Sequence, residues 1–402
     1  MPQPVLVAGA RTPIGKLLGS LAALPAPTLG GIAIGAALDR AGITGDQVDE
    51  VLMGNVVQAG AGPNPARLAA ARGGIPMSVP ATTINKLCLS GLAAIAQAAC
   101  LVQAGYSQVV VAGGMESMSN APYLQRDARR GLRYGGGAPL EDALDSDALV
   151  CGFDGLPMGA ATDQYQAALG GITRPEQDEF AARSHARAVA AVKEGRLGEE
   201  ITPVSKTGRD DGTVVDQDEG IRPGTTADRL ARLPAAFSPD GTITAGSASQ
   251  LSDGGCAVVV MDRDQAERHG LTWLAEIGGY GAVAGPDPSL LLQPANAIRD
   301  ALRRDADGRD AALGIGDLDL IEINEAFAGV ALASIRDLGA SQDRVNVNGG
   351  AIALGHPVGM SGARLVLTLA LELQRRGGGT GAAALCGGGG QGDALILRVP
   401  AA

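Results

Sequence analysis

Three residues of this sequence could together perform acyl chemistry: Cys88, His356 and Cys386. Cys88 lies in Asn85-Lys86-Leu87-Cys88-Leu89-Ser90-Gly91-Leu92. The short apolar stretch before it, Val79 to Ile84, is rich in β-branched residues and reads as a buried strand. After it, Leu92, Ile95, Ala96, Ala99 and Val102 recur at helical spacing. The thiol therefore stands where a strand turns into a helix, near the unpaired N–H groups of the first turn. That position favours a thiolate, and cysteines there can titrate as low as roughly 3.5–7.5. Alone, Cys88 reads equally well as a buried structural cysteine. His356 changes the balance: it stands between Gly355 and Pro357, in a loop entering the apolar helix Ala363 to Leu373. An imidazole that accepts the thiol proton creates a nucleophile for an acyl carbon. Cys386 closes the strand Ala382 to Leu385 and opens the run Gly387-Gly388-Gly389-Gly390-Gln391-Gly392. A second thiol there could serve as acid and base. The backbone N–H groups of Gly387 to Gly390 and of Cys88 are candidate donors to an oxyanion. The other two histidines, His185 on a polar helix and His269 near a charged turn, read as surface residues.

Elements that could bring such distant positions together are visible as a repeat. Ser90-Gly91 opens an apolar helix, and the strand Val109 to Val111 follows and ends in Gly113-Gly114. Ser361-Gly362 opens a second apolar helix, and Ala382 to Leu385 follows and ends in glycines. An internal duplication explains both. Two similar halves with polar residues at their strand ends would place Cys88, His356 and Cys386 in one crevice. Strands alternating with helices imply a mostly parallel α/β fold, and the apolar run Ala257 to Met261 reads as a buried strand of the parallel type. Between Ser119 and Gly241 the alternation breaks down. Residues 119–241 thus read as an inserted domain covering the site, with residues 1–118 and 242–272 as the first half and 273–402 as the second. Arg183, Arg187, Lys193, Lys206, Arg209, Arg222 and Arg229 in the insertion are candidates for an anionic ligand, most of them reading as surface charges.

At 402 residues, with 46% hydrophobic and 19% charged, the chain is large enough for two or three domains. Aromatics are 2% against 60 glycines, so the core must be Ala, Val, Leu and Ile on closely packed elements. A net charge of −11 argues against nucleic acid as a partner, but leaves room for a small phosphorylated ligand held by local arginines. No uninterrupted apolar run of about 18 residues appears, so no membrane span is expected. Met1 to Ala8 reads as a first strand rather than a signal peptide. Five irregularly spaced cysteines argue against a disulfide framework, and the expectation is a cytoplasmic protein. Cys100, Cys151 and Cys256 read as packing residues. Gly15-Lys16 is no phosphate loop, because five residues separate Gly9 from Gly15 and Leu17 follows the lysine. The glycine run after Cys386 fails as a dinucleotide fingerprint, because a strand (Ala394 to Leu397) follows it. A zinc site lacks ligands at short spacing, so no metal is expected.

With these motifs in hand, the sequence resembles the thiolases, and among them the acetyl-CoA acetyltransferases, essentially end to end. The resemblance is carried by Arg11 to Gly15, Met53 to Arg67, Asn85 to Gly91, Val111 to Ser117, Asn324 to Phe327, Gly355 to Gly362 and Cys386 to Gly392. It implies duplicated α/β/α/β/α halves with an inserted loop domain. It implies that Cys88 holds the acetyl group as a thioester, that His356 activates it, and that Cys386 removes the α-proton of a second acetyl-CoA. It implies that Asn324 positions a water in one oxyanion hole, with the N–H groups of Cys88 and Gly388 forming another. Arg222 matches an adenine contact of coenzyme A, Ser249 a pantetheine contact, and Leu149, Phe237, Ala326 and Phe327 apolar lining. The resemblance further implies ping-pong condensation of two acetyl-CoA without metal or redox cofactor, and a homo-oligomer, dimer or tetramer. Leu89 and Ser247 depart from the short-chain pattern, which has Gly and Asn there. Pro157-Met158-Gly159 is similar to degradative 3-ketoacyl-CoA thiolases, whereas Met53 to Gly60 and Asn64 to Arg67 look like the acetoacetyl type. A non-catalytic paralogue would be expected to lack one of Cys88, Asn324, His356 and Cys386, and a ketoacyl synthase to carry histidine in place of Asn324.

Overall fold

The apolar runs of the sequence become strands sandwiched between helices, as seen in a computed structural model that describes residues 2–206, 213–306 and 313–401. The first half supplies β1 (Pro4–Arg11), β2 (Glu50–Gly54), β3 (Ala81–Ile84), β4 (Val109–Ser117) and β5 (Ser252–Asp262). The second supplies β6 (Ala275–Ala284), β7 (Leu320–Ile323), β8 (Gly379–Gly387) and β9 (Gln391–Val399). Their order is β7-β8-β9-β6-β1-β5-β4-β2-β3, with the two-residue strand Gly15–Lys16 beside β5. Read outward from the β1–β6 junction, the two halves run β1-β5-β4-β2-β3 and β6-β9-β8-β7. Val345 bridges Ile321 in parallel, where the second half would have its counterpart of β3. The duplication read from the Ser-Gly repeats is therefore present in the strand order.

The sheet is mixed. The parallel pairs expected from strand–helix alternation are β2–β3, β2–β4 and β7–β8, toward the two ends. The pairs β1–β5, β4–β5, β1–β6, β6–β9 and β8–β9 are antiparallel. This corrects the reading of Ala257 to Met261 as a parallel-type strand. Residues 257–261 of β5 are continuously apolar because helices cover both faces of the strand, and that requirement is blind to strand direction. A second correction concerns the segment before Cys88. β3 ends the sheet with β2 as its strand neighbour and is half-exposed rather than buried.

The helices complete a five-layered stack. α1 (Ala26–Ala41) and α2 (Pro65–Arg72) cover one outer face, and α6 (Gln293–Ala306) and α7 (Ala328–Leu338) the other. Between the halves lie α3 (Ser90–Gln103) and α8 (Ser361–Arg375), the helices opened by the repeated Ser-Gly pair. Residues Ser361 to Ala370 are all buried. The N-terminal backbones of α3 and α8 touch. A Cβ on Gly91 would lie 2.9 Å from Ala363 N, and one on Gly362 only 2.4 Å from Leu92 N. Only glycine permits that approach. α3 still meets water along one line, so Cys100, expected to be a packing residue, is exposed, while Cys151 and Cys256 are buried.

The segment between β4 and β5 carries α4 (Met158–Leu169) and α5 (Arg174–Lys193). Thr173 caps α5, its side chain accepting from the N–H of Glu176. Buried Arg11 at the end of β1 anchors this segment. Its guanidinium makes two hydrogen bonds to Asp218, of 2.7 and 2.9 Å, and a third of 2.9 Å to Glu200. Among the described residues, no helix is long and apolar enough to cross a membrane.

Candidate active site

The two central helices aim their N-terminal loops at one place. Cys88 precedes α3 in a turn whose preceding residue, Leu87, is held in the left-handed region at φ 53°. The turn is pinned locally. Leu87 N–H donates to Asn85 Oδ1 at 3.0 Å, and Ser90 Oγ donates to the Leu87 carbonyl at 2.6 Å. His356 precedes α8, its N–H donating to the Gln250 carbonyl at 3.0 Å. Its ring lies between Ser361 Oγ, 2.6 Å from Nδ1, and Asn324 Nδ2, 3.3 Å from Nε2. Cys386 closes β8 and is buried. The turn after it reverses direction through Gly389 and Gly390, at φ 75° and 70°. That turn carries Gly388, whose N–H is directed at the Cys88 thiol alongside Cys88's own N–H.

A cavity of about 570 Å³ joins these parts. Cys88, His356, Cys386 and Gly388 line it together with Arg222, Ser249, Leu149, Phe237, Ala326 and Phe327. Asn324 sits behind His356, fully buried. The rings of Phe237 and Phe327 meet edge to face at 5.9 Å and form an apolar wall. Ser249 N–H donates to the Ala326 carbonyl, which ties that wall to the chain entering β5. Of the other basic candidates in the insertion, Arg183 contacts Gln342, Arg187 donates to the Val345 carbonyl, and Arg229 donates to the Gly224 carbonyl. Lys193 and Lys206 are exposed, and Arg209 lies outside the described residues. His185, expected at the surface, is buried and accepts the Arg222 N–H at Nδ1, 3.2 Å away. The polar sequence around it concealed that α5 buries one face against the second half.

Two of the departures noted in the sequence lie outside the cavity. Leu89 is buried against Gly387, where a Cβ would come within 2.7 Å of its Cγ, and Ser247 Oγ accepts the Thr244 N–H. Pro157 and Met158 do line it.

The electrostatics correct one expectation. Burial pushes the Cys88 thiol up to about 11, against the pull of the two N–H groups, with Glu116 adding to the rise. The helix N-terminus does not make a resting thiolate, because an apolar surround penalises the ion more than two dipoles stabilise it. Burial also raises Cys386, helped by neighbouring Cys88, and lowers His356 to about 3. The resting site is thus neutral: two thiols and an imidazole, with charge created only during reaction.

Two contributors escaped the sequence reading. Ser361 was visible as the Ser of the repeated Ser-Gly pair, but its contact with His356 was not. Glu116 is buried and accepts from Asn55 Nδ2 (2.7 Å), Val56 N (2.9 Å), Val57 N (3.2 Å) and Gly359 N (3.0 Å). It thereby ties the loop after β2 to the loop between His356 and α8.

Comparison with known proteins identifies the family. Residues 4–264 match the family model described as "Thiolase, N-terminal domain" and residues 271–399 that described as "Thiolase, C-terminal domain". A probable acetyl-CoA acetyltransferase of Mycolicibacterium smegmatis is 56% identical over 98% of this chain and 100% of its own length. Acetyl-CoA acetyltransferases of Pseudomonas aeruginosa (47% identical; 99% of each chain) and Escherichia coli (45%; 98% of each) are also similar. With both halves matched along nearly their whole length and the paired strand orders carrying them, this chain belongs to the thiolase family of acyltransferases.

Proposed function

We propose that this protein condenses two acetyl-CoA to acetoacetyl-CoA and CoA, reversibly, through an acetyl-Cys88 thioester. The observation that carries the reading is the convergence of Cys88, His356, Cys386 and the Gly388 N–H on one cavity. In the first half-reaction His356 Nε2 takes the Cys88 proton as the sulfur attacks the acetyl carbonyl. The C–S bond to CoA breaks, and the departing CoA sulfur takes the Cys386 proton. This leaves acetyl-Cys88, an imidazolium and a Cys386 thiolate. In the second half-reaction that thiolate removes the α-proton of a second acetyl-CoA, and the carbanion attacks acetyl-Cys88. The Cys88 sulfur leaves and recovers its proton from His356, so the neutral resting site is restored. Donors at the thioester oxygen stabilise both tetrahedral intermediates. Splitting the transfer in two is what a covalent nucleophile achieves. Coenzyme A is substrate and product, with Arg222 toward its charged end and the Phe237–Phe327 wall along its arm.

The test is thiolysis of acetoacetyl-CoA against a longer 3-ketoacyl-CoA, with Cys88→Ala alongside. Activity mainly on acetoacetyl-CoA, abolished in the variant, supports the reading. Faster cleavage of the longer substrate moves the protein to the degradative 3-ketoacyl thiolases, a reading favoured by Pro157 and Met158 at the cavity wall. The reading also carries a cytoplasmic homo-oligomer, for which half-exposed β3 offers a sheet edge. A monomer in sedimentation velocity would oppose it.

A further inference from the structure

Asp393 is fully buried in β9, flanked on its C-terminal side by buried Ala394, Leu395, Ile396 and Leu397. An ionised carboxylate in such a strand costs stability unless paired, and an apolar residue of similar size would avoid the cost. Here both its oxygens are engaged. Lys86 Nζ lies 2.6 Å from Oδ1, Tyr280 donates to Oδ2 at 2.9 Å, and Lys86 Nζ reaches the Tyr280 hydroxyl at 3.2 Å. Tyr280 comes from β6, so the cluster spans three elements.

Each end of the ion pair is attached to a reacting part. Lys86 frames the Cys88 turn: its N–H donates to Ser90 Oγ at 2.8 Å, and its carbonyl accepts the Leu89 N–H at 3.2 Å. Asp393 pairs with Leu385 across the hairpin whose next rung is Cys386 with Gly392 and whose tip carries Gly388. The Cys88 turn belongs to the first half and the glycine turn to the second. Their relative placement sets whether the Gly388 N–H meets the Cys88 sulfur and, later, the thioester oxygen. Leu87 at φ 53° shows that the turn is held in a conformation a free chain would leave.

We propose that Lys86, Asp393 and Tyr280 are positioning residues that lock the nucleophile turn of one half onto the oxyanion turn of the other. The inference rests on Cys88 being the acylated nucleophile. Displacement by even an ångström can lower a rate about a hundredfold, while the distant coenzyme contacts stay intact. The cluster should therefore act on kcat rather than on KM.

The experiment compares Lys86→Met, Lys86→Arg and Asp393→Asn in acetoacetyl-CoA thiolysis, with thermal melting to verify folding. In Lys86→Met and Asp393→Asn, kcat should fall at least about tenfold, with KM for acetoacetyl-CoA within about twofold. Lys86→Arg should recover most of the loss. The double variant Lys86→Met/Asp393→Asn should be no worse than the poorer single one, as for two ends of one link. Lys86 is only half-buried, so Lys86→Met carries the test if Asp393→Asn fails to fold. In parallel, the rate of Cys88 alkylation by iodoacetamide at one pH should slow at least about fivefold in Lys86→Met, since the thiolate loses an aligned donor. A folded Lys86→Met with kcat within twofold of the native enzyme, unchanged alkylation, a loss expressed in KM, or no recovery in Lys86→Arg would overturn the proposal. Should the native enzyme not cleave acetoacetyl-CoA, the assigned substrate fails, yet the alkylation rates still decide the role of the cluster.

Discussion

His356 Nδ1 lies 2.6 Å from Ser361 Oγ, and that hydroxyl stands 2.9 Å from the Pro357 carbonyl. The carbonyl can only accept, so the serine gives it its one proton and must itself accept from Nδ1–H. This arrangement fixes the tautomer, leaving Nε2 unprotonated, with Asn324 Nδ2 as its donor. A histidine that is to take a thiol proton needs that lone pair. Ser361→Ala should free the ring to carry its proton on either nitrogen. We expect kcat to fall about tenfold with KM nearly unchanged, while Ser361→Thr retains most activity. Equal kcat in Ser361→Ala and the native enzyme would sink the idea.

Glu116 presents each carboxylate oxygen to two N–H donors. Burial pushes its pKa up to about 7, against the pull of those donors. Glu116→Gln would turn one oxygen into an NH₂ group facing two donors, so an apparently mild change becomes a repulsive one. The expected cost is about 2–4 kcal/mol of stability and a loss of thiolysis, because the loop after β2 comes away from the loop between His356 and α8. Urea unfolding at pH 8 measures it; a change below 1 kcal/mol would refute the argument.

His185 and His356 are both buried, and burial, with Arg222 and Arg364 as the respective nearby charges, lowers them to about 4 and about 3. Unfolded histidine titrates near 6.5, so between these values the unfolded chain binds more protons than the native one. Their contribution is complete above pH 6.5 and is lost as pH falls toward 4. Buried Glu116 and Glu322, raised to about 7 and about 8, act in the opposite sense, so a difference between variants is the informative quantity. His185→Gln keeps an acceptor for the Arg222 N–H and removes the titration. Between pH 7 and pH 5 it should lose about 1–2 kcal/mol less stability than the native protein. Parallel curves would exclude this account.

Arg222 lines the cavity and is held toward it by a contact of 3.3 Å with Gln250. Under the proposed function its guanidinium serves the coenzyme rather than the reacting carbon. Arg222→Ala is expected to raise KM for CoA about tenfold, leaving kcat within twofold. A fall in kcat at saturating CoA would place Arg222 in the chemistry instead.

Much of the site was legible because its parts are marked by glycine and by repetition. The Ser-Gly pairs announced α3 and α8, and the loops before them carry Cys88 and His356. The glycine run after Cys386 announced the turn that carries Gly388. What the sequence hid were facts of burial and pairing. His185 sits among charges along the chain, yet α5 turns it inward. Cys88 has the right helix for a low pKa, yet the apolar surround wins. β5 is apolar for reasons of layering, not direction. Lys86 and Asp393 are separated by most of the chain, and no local pattern marks two charges that meet only after the halves close.

The glycine contact between α3 and α8 has a consequence for how the enzyme is made. Neither helix can be buried on all sides by its own half, so neither half can complete its part of the site alone. Cys88 emerges from the ribosome early, whereas Gly388, Cys386 and Asp393 come last. At about 5–20 residues per second, roughly 15–60 s of synthesis separate them. Until then Cys88, the proposed nucleophile, has neither Cys386 nor the Gly388 N–H beside it. The proposed chemistry therefore waits until translation is nearly finished, and a chain terminated before Cys386 lacks part of the site.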